Sequence, residues 1–245
     1  MLNKVYDTMD LAVADIPDGA SIMFPGFGPG TARNLIAALY RQGAKDLLGI
    51  SNGPGGWRAP DGDTAPDLGT IIAERRVRKM ICAFTAPTHP SMSSPFSEQY
   101  EAGEIEAELT PQGTLAERCR AGGAGIPAFY TPTSVGTELA EGKEHRVFDG
   151  RTYVLEHALV ADYALVRAWK ADSFGNLLFR RAQRNFNPIM ATAASCTVVE
   201  VEEPIAEIGE LDPDNIHLSG IYVSRIVRIP PEAAGGIWDK GFNLA

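Results

Sequence analysis

Residues 20–50, ASIMFPGFGPGTARNLIAALYRQGAKDLLGI, decide the fold. The apolar run at 20–24 has the length and composition of a buried strand. It meets Pro25-Gly26-Phe27-Gly28-Pro29-Gly30, where glycine permits positive φ and proline fixes φ, so the chain must turn sharply. Thr31 is a good N-cap for the helix that follows. Leu35, Ile36, Leu39 and Tyr40 lay one apolar stripe along that helix, and Gly43 is placed to end it. Residues 47–50 are the next strand. Strand, glycine turn, helix and strand predict a parallel βαβ unit, and with it an α/β protein with an open, mostly parallel sheet and flanking helices.

The glycine turn invites comparison with a dinucleotide fingerprint, and the details weigh against it. GxGxxG needs a third glycine where Thr31 stands, and the acidic residue about 20 positions on, Asp46, precedes its strand instead of following it.

Ligands of an open parallel sheet sit beyond the carboxyl ends of its strands, and two such ends carry amides. The first runs into Ser51-Asn52-Gly53-Pro54-Gly55-Gly56-Trp57. Asn52 is a sensible donor to a developing oxyanion, or else a turn residue tolerant of the left-handed region. The second, after a strand at 105–109, is Thr110-Pro111-Gln112-Gly113. Between them lie a Gly/Pro/Asp-rich loop at 54–66, helical spacing over Leu68, Ile71, Ile72 and Arg75, a strand at 79–84, a polar loop at 85–97 and a short helix at 96–103. His89, flanked by loop residues, is either a general base or an exposed surface histidine.

The stretch 108–143, ELTPQGTLAERCRAGGAGIPAFYTPTSVGTELAEGK, begins a helix at 114–120 with Leu115 and Cys119 inward. It then predicts a long shaped loop with Gly122, Gly123, Gly125, Pro127 and Pro132, either a site wall or a rigid structural corner. Strands follow at 145–149 and 153–155, joined at Asp149-Gly150. An antiparallel hairpin is expected from 163–170 and 177–181 around Asp172-Ser173-Phe174-Gly175. Lys170, Arg180, Arg181 and Arg184 form a basic group, read as a solvated face with ion pairs in preference to a phosphate site. Pro188 starts an alanine-rich helix, 197–201 is the last clear central strand, and 221–227 is extended. Residues 1–228 form the main domain. The tail at 229–245, with Ile237, Trp238 and Phe242, is expected to pack on a partner.

A net charge of −9 over 245 residues argues against nucleic acid or an anionic membrane as the main partner. Three widely spaced cysteines, Cys82, Cys119 and Cys196, read as reduced thiols of a cytoplasmic protein. No CxxC or His-x-x-x-His spacing points to a metal. Neither an apolar leader after Met1 nor a run of about 18 apolar residues appears, so the chain is expected to be soluble.

The run ELTPQGTLAERCRAGGAGIPAFYTPT resembles the first-half (α, or A) subunit of the class I coenzyme A transferases, the 3-oxoacid and acetate CoA-transferase group. The likeness resumes at Ala164 to Asp172, Gly175-Asn176, Arg184-Asn185-Phe186-Asn187 and Thr197 to Glu203, and covers most of residues 1–228. It implies an enzyme in which a glutamate carried by a separate β subunit, the nucleophile, attacks acyl-CoA, giving an anhydride and then a glutamyl-CoA thioester. This chain would form an α2β2 hetero-oligomer with that subunit. It would supply Asn52 and Gln112 as transition-state amide donors and Gly26, Phe27, Gly28 and Gly30 as a wall against coenzyme A. CoA is then a substrate, exchanged between an acyl-CoA and a small carboxylic acid, and no cofactor is tightly held. Pro25 replaces the family's first turn glycine, Ala32-Arg33-Asn34 replaces its Pro-Glu, Gly53 stands for its second asparagine, and the loops at 54–66 and 85–97 are longer. Those departures keep open an α subunit of a CoA-ester hydrolase or ring-opening enzyme on the same scaffold. A non-catalytic acyl or sugar-phosphate binding module is the third reading.

Overall fold

The structure, a computed structural model, describes residues 3–26, 28–56, 67–85 and 93–230. Helix α1 (Met9–Val13) leads into β1 (Ser21–Phe24), α2 (Arg33–Gln42), β2 (Leu47–Ser51), α3 (Leu68–Ala73), β3 (Val77–Cys82), α4 (Pro95–Glu101) and β4 (Glu106–Leu109). Helix α5 (Gln112–Gly123) leaves the sheet for β5 (Ala128–Thr131), β6 (His145–Phe148) and β7 (Arg151–His157). The chain returns through β8 (Ala161–Ala168), the short β9 (Lys170–Ala171) and β10 (Leu177–Leu178), α6 (Asn187–Thr192), β11 (Ala194–Val201) and β12 (Arg225–Arg228).

The main sheet has seven strands in the order β12-β11-β8-β1-β2-β3-β4, and every pairing in it is parallel. The expected α/β class and mostly parallel sheet are therefore present. Successive side chains of a strand point to opposite faces, so each buried strand feeds two cores. Ile22, Phe24, Val198 and Val227 pack with Leu35, Leu39 and Ile71 of α2 and α3. Met23, Val199 and Ile226 pack on the other face with Leu115 and Met190 of α5 and α6. Among the described residues no helix is long and apolar enough to cross a membrane.

The order reverses at β1: the chain proceeds through β2, β3 and β4 on one side and returns to β8 on the other. A crevice opens at such a switch point, beyond the carboxyl ends of the strands, and here it faces the glycine turn.

Three expectations change. Helix α2 is capped at Ala32, not Thr31, whose hydroxyl donates to Gly28 O at 3.0 Å and whose backbone bridges to Val166. The stretch at 108–143 is no long loop. Gly122 and Gly123 continue α5, because a Cβ at Gly122 would meet Leu159 O and one at Gly123 would meet Thr192, so close helix packing is what needs them. The apolar 128–130 segment is β5, in a separate antiparallel sheet ordered β5-β7-β6. Residues 163–168 belong to the central parallel strand β8, and the hairpin reduces to β9 with β10. Continuous burial of Ala164 to Ala168 on both faces is the physical difference, since a hairpin arm of that length would have one face in water. The segment expected to be extended supplies β12, beyond β11 at the sheet's edge. His89, most of the loops at 54–66 and 85–97, and the tail beyond Pro230 lie outside the described residues.

Candidate active site

The turn after β1 is held in a conformation that only glycine adopts easily. Gly26 and Gly30 have φ of 115° and 78°. A Cβ on the first would run into Thr31, and on the second into Gln183 O. The segment after β10 clamps the turn. Asn185 Oδ1 accepts from Gly26 N–H at 3.1 Å, and its Nδ2 donates to Pro29 O at 2.8 Å. Asn187, fully buried, donates to Gly30 O at 3.0 Å and accepts from Arg167 N–H at 3.0 Å. Gly30 thus faces the clamp, while Gly26 and Gly28 line a cleft of about 340 Å³ between the turn, the end of β2 and the start of α3. Phe27 lies outside the described residues. Phe24, Pro25, Ile36 and Leu68 make much of the cleft apolar, and Thr31, Arg33, Ser51 and Asp67 are polar residues along it. Asp67 caps α3 through Thr70 N–H and also accepts from Gly56 N–H at 2.7 Å, which fastens the loop after β2.

Ser51 and Gly53 line that cleft, and Asn52 stands between them. Its backbone carbonyl accepts from Ala83 N–H at 3.1 Å, and its side chain is fully buried. Asn52 Oδ1 accepts from Gln112 Nε2 at 2.7 Å. Asn52 Nδ2, also buried, has no hydrogen-bond partner among the described residues. A buried amide donor without an acceptor costs roughly 1–3 kcal/mol, so it is a candidate for an acceptor supplied by a ligand. The two predicted amides, 60 residues apart in sequence, are thus brought together. Gln112 reaches Asn52 from the first turn of α5, not from a loop, since the strand end at Thr110-Pro111 passes directly into that helix.

Arg118 fixes α5 in place. It donates to Glu108 at 2.7 Å, Thr110 at 3.0 Å and His157 O at 2.7 Å. Burial alone would push the Glu108 carboxyl up, but Arg118 and Lys79 together hold it below its ordinary value. Glu108 is thus part of a structural ion pair. Among the basic residues, Lys170 and Arg180 sit over the Trp169 ring and Arg180 pairs with Glu202 at 3.1 Å, in keeping with an ion-paired face.

Sequence reasoning passed over Glu200. It is fully buried on β11, it accepts from Leu35 N–H at 2.9 Å and Asn34 Nδ2 at 3.2 Å, and Arg167 Nη1 lies 3.7 Å away. Burial pushes its carboxyl up to about 7, against the opposing pull of Arg167 and of the bonds from Leu35 and Asn34. A signal existed: a lone charge inside the apolar run Thr197-Val198-Val199-Glu200-Val201 needs a buried partner.

A seven-stranded parallel sheet with a glycine-walled cleft and a buried amide pair at its strand ends is an α/β fold whose candidate site is at the switch point. The family model described as Coenzyme A transferase matches residues 6–228. The A-type chain of a probable succinyl-CoA:3-ketoacid coenzyme A transferase of Bacillus subtilis is 48% identical over 92% of this chain and 90% of its own length. The A-type chain of the 3-oxoadipate CoA-transferase of Pseudomonas putida is 47% identical over 97% of this chain and 98% of its own. Among solved structures, the glutaconate coenzyme A-transferase of Acidaminococcus fermentans shares the fold, with a TM-score of 0.77 at 23% identity over 94% of this chain and 77% of that one. The decarboxylase AibA/AibB, in a cysteine-to-serine variant, has a TM-score of 0.74 at 27% identity, over 96% of this chain and 88% of that one. The chain belongs to the coenzyme A transferase family, and it is an A-type subunit of a CoA-transferase enzyme.

Proposed function

We infer that this chain forms one wall of a CoA-transfer site whose nucleophilic glutamate is carried by a separate β subunit, the two assembling as α2β2 in the cytoplasm. The observation that carries the reading is the unpartnered Asn52 Nδ2, held by Gln112. The β-subunit carboxylate attacks the thioester carbonyl, and the electron pair of the C=O bond moves onto oxygen. Asn52 Nδ2–H donates to that oxyanion. Collapse expels CoA thiolate and leaves an acyl-glutamyl anhydride. CoA thiolate then attacks the glutamyl carbonyl, the acid departs as carboxylate, and an enzyme thioester remains. A second acid reverses the two steps and leaves as the new acyl-CoA.

Gln112 spends one Nε2 hydrogen on Asn52 Oδ1, which orients the Asn52 amide, and its other hydrogen can reach the same oxyanion. Neutral donors suit this chemistry because a cation would also hold the ground-state carboxylate. Gly26 and Gly28 line the apolar cleft, as a wall against acyl-CoA requires. CoA is exchanged as a substrate and is not a resident cofactor.

Co-expression with the product of the adjacent gene, followed by CoA exchange between paired acids and borohydride trapping, tests this reading. The names of the relatives put succinyl-CoA with 3-keto acids, and 3-oxoadipate, first on the panel. Exchange with a trapped thioester on the β subunit is expected. A thioester on this chain, or transfer by this chain alone, overturns the division of labour. The likeness to a decarboxylase supports a second reading, another reaction on the same scaffold, which release of carbon dioxide, or net loss of CoA ester, without exchange would favour.

A further inference from the structure

Helix α2 starts immediately after the glycine turn, yet its own sequence does little to cap it. Ala32 has no side chain that can accept, and the first turn contains no acidic residue. The first four N–H groups of a helix need acceptors, and its N-terminus favours a negative charge. Both come from across the sheet. Glu200 on β11 accepts Leu35 N–H with one oxygen and the Asn34 amide with the other.

Glu200 and Arg167 are register partners on β11 and β8, so they share a face of the sheet. Arg167 N–H is also bound by Asn187, whose amide holds Gly30 O. One polar layer therefore ties the start of α2, the glycine turn, β8 beside β1 and β11 beyond it. Gly26, Gly28, Thr31, Arg33 and Ile36, all between β1 and the second turn of α2, line the cleft. A change at Glu200 reaches the cleft through them.

Resting on the transfer reading above, we propose that Glu200 is a positioning residue for the reaction: its buried carboxylate sets the first turn of α2, and through it the glycine wall of the cleft. Its carboxylate form accepts from both α2 donors at once. Its protonated form keeps one oxygen that must donate, and the layer around it offers donors. The charged groups there are Arg167 from β8, Glu202 and Arg180 beyond it, and Arg33 next to the two donors on α2; β12 places apolar Val227 in register. Because burial pushes Glu200 up to about 7, activity rises as pH increases through neutrality.

Glu200→Gln tests it, in the complex with the β subunit, because one amide face must then point a donor at a donor. The expected result is a loss of about tenfold or more in kcat/KM at pH 8, and disappearance of the near-neutral acid limb of the wild-type profile. Asn34→Ala removes one donor to the carboxylate and should move that limb to higher pH. Unchanged kcat/KM in Glu200→Gln, or an acid limb that neither variant alters, overturns the proposal. If Glu200→Gln does not assemble, the Asn34→Ala profile decides. Should the wild-type complex exchange no CoA with any acid, the transfer reading fails instead. Hydrogen exchange over residues 25–40 then still reads the positioning: faster exchange of the Leu35 amide in Glu200→Gln supports it, and unchanged exchange sinks it.

Discussion

Gln112 Nε2 donates to Asn52 Oδ1 at 2.7 Å, and the opposite edge of the Asn52 amide is left buried without an acceptor among the described residues. One hydrogen bond thus decides which way a planar amide faces. Reversing Asn52 would set its Nδ2 against the Gln112 donor, so the pair fixes which edge of the amide carries the unpartnered donor. A site that holds its dipoles in place before the charge develops has no reorganisation left to perform.

Removing that donor should be felt in turnover. Asn52→Ala, assayed in the assembled complex, is expected to lose on the order of 10²–10³ in kcat, the range for one oxyanion donor. Gln112→Ala should lose less, because Nδ2 survives but is no longer oriented. Equal, small losses in both would detach the pair from the transition state.

The glycine turn should be intolerant of even one methyl group. Gly30→Ala places a Cβ against Gln183 O and forces a left-handed φ on alanine, so a destabilisation of roughly 1–3 kcal/mol is expected in thermal or urea unfolding. Gly26→Ala meets Thr31 in the same way and opens on the cleft, so it should impair transfer as well. A Gly30→Ala protein with an unshifted midpoint would show that the clamp by Asn185 and Asn187 gives way easily.

The cysteines should be quiet. Cys82 and Cys119 are fully buried, and burial pushes their thiols up to about 11 and about 12. Cys196 is half-buried and also raised, again by burial. Since the thiolate is the reactive form, native protein at pH 8 should react slowly with a disulfide reagent, and all three should appear in denaturant. Rapid reaction of Cys119 would mean that α5 opens easily.

Stability should carry the signature of Glu200. Its folded value of about 7 lies above the ordinary 4.5, so folding takes up a proton between the two. The contribution is complete below about 4.5 and is lost as pH rises through about 7, a change on the order of 3 kcal/mol. Comparing unfolding of wild type and Glu200→Gln between pH 5 and 8 isolates it, and parallel curves would refute it. The same window is where the carboxylate becomes available to hold α2, so one residue sets stability against activity.

Much of this protein is legible in its residues. The unit from β1 to β2 follows from an apolar run, a glycine turn and an amphipathic stripe, all local signals that tertiary packing then reinforces. Helix α5 is harder. Gly122 and Gly123 read locally as breakers, and only their contact with Leu159 and Thr192 shows why a helix keeps them. Strand β8 reads as a hairpin arm because its neighbours, β1 and β11, are far away in sequence and leave no local trace.

By itself, the sequence determined the α/β class, the position of the glycine turn and the two amides at strand ends, since each depends on residue type and short-range spacing. Only the tertiary structure decided that Gln112 turns the Asn52 amide and that Asn185 and Asn187 clamp the turn. It alone supplied Glu200 as the missing cap of α2. These are hydrogen bonds between residues 60 to 166 positions apart, and no local periodicity encodes a partner at that distance.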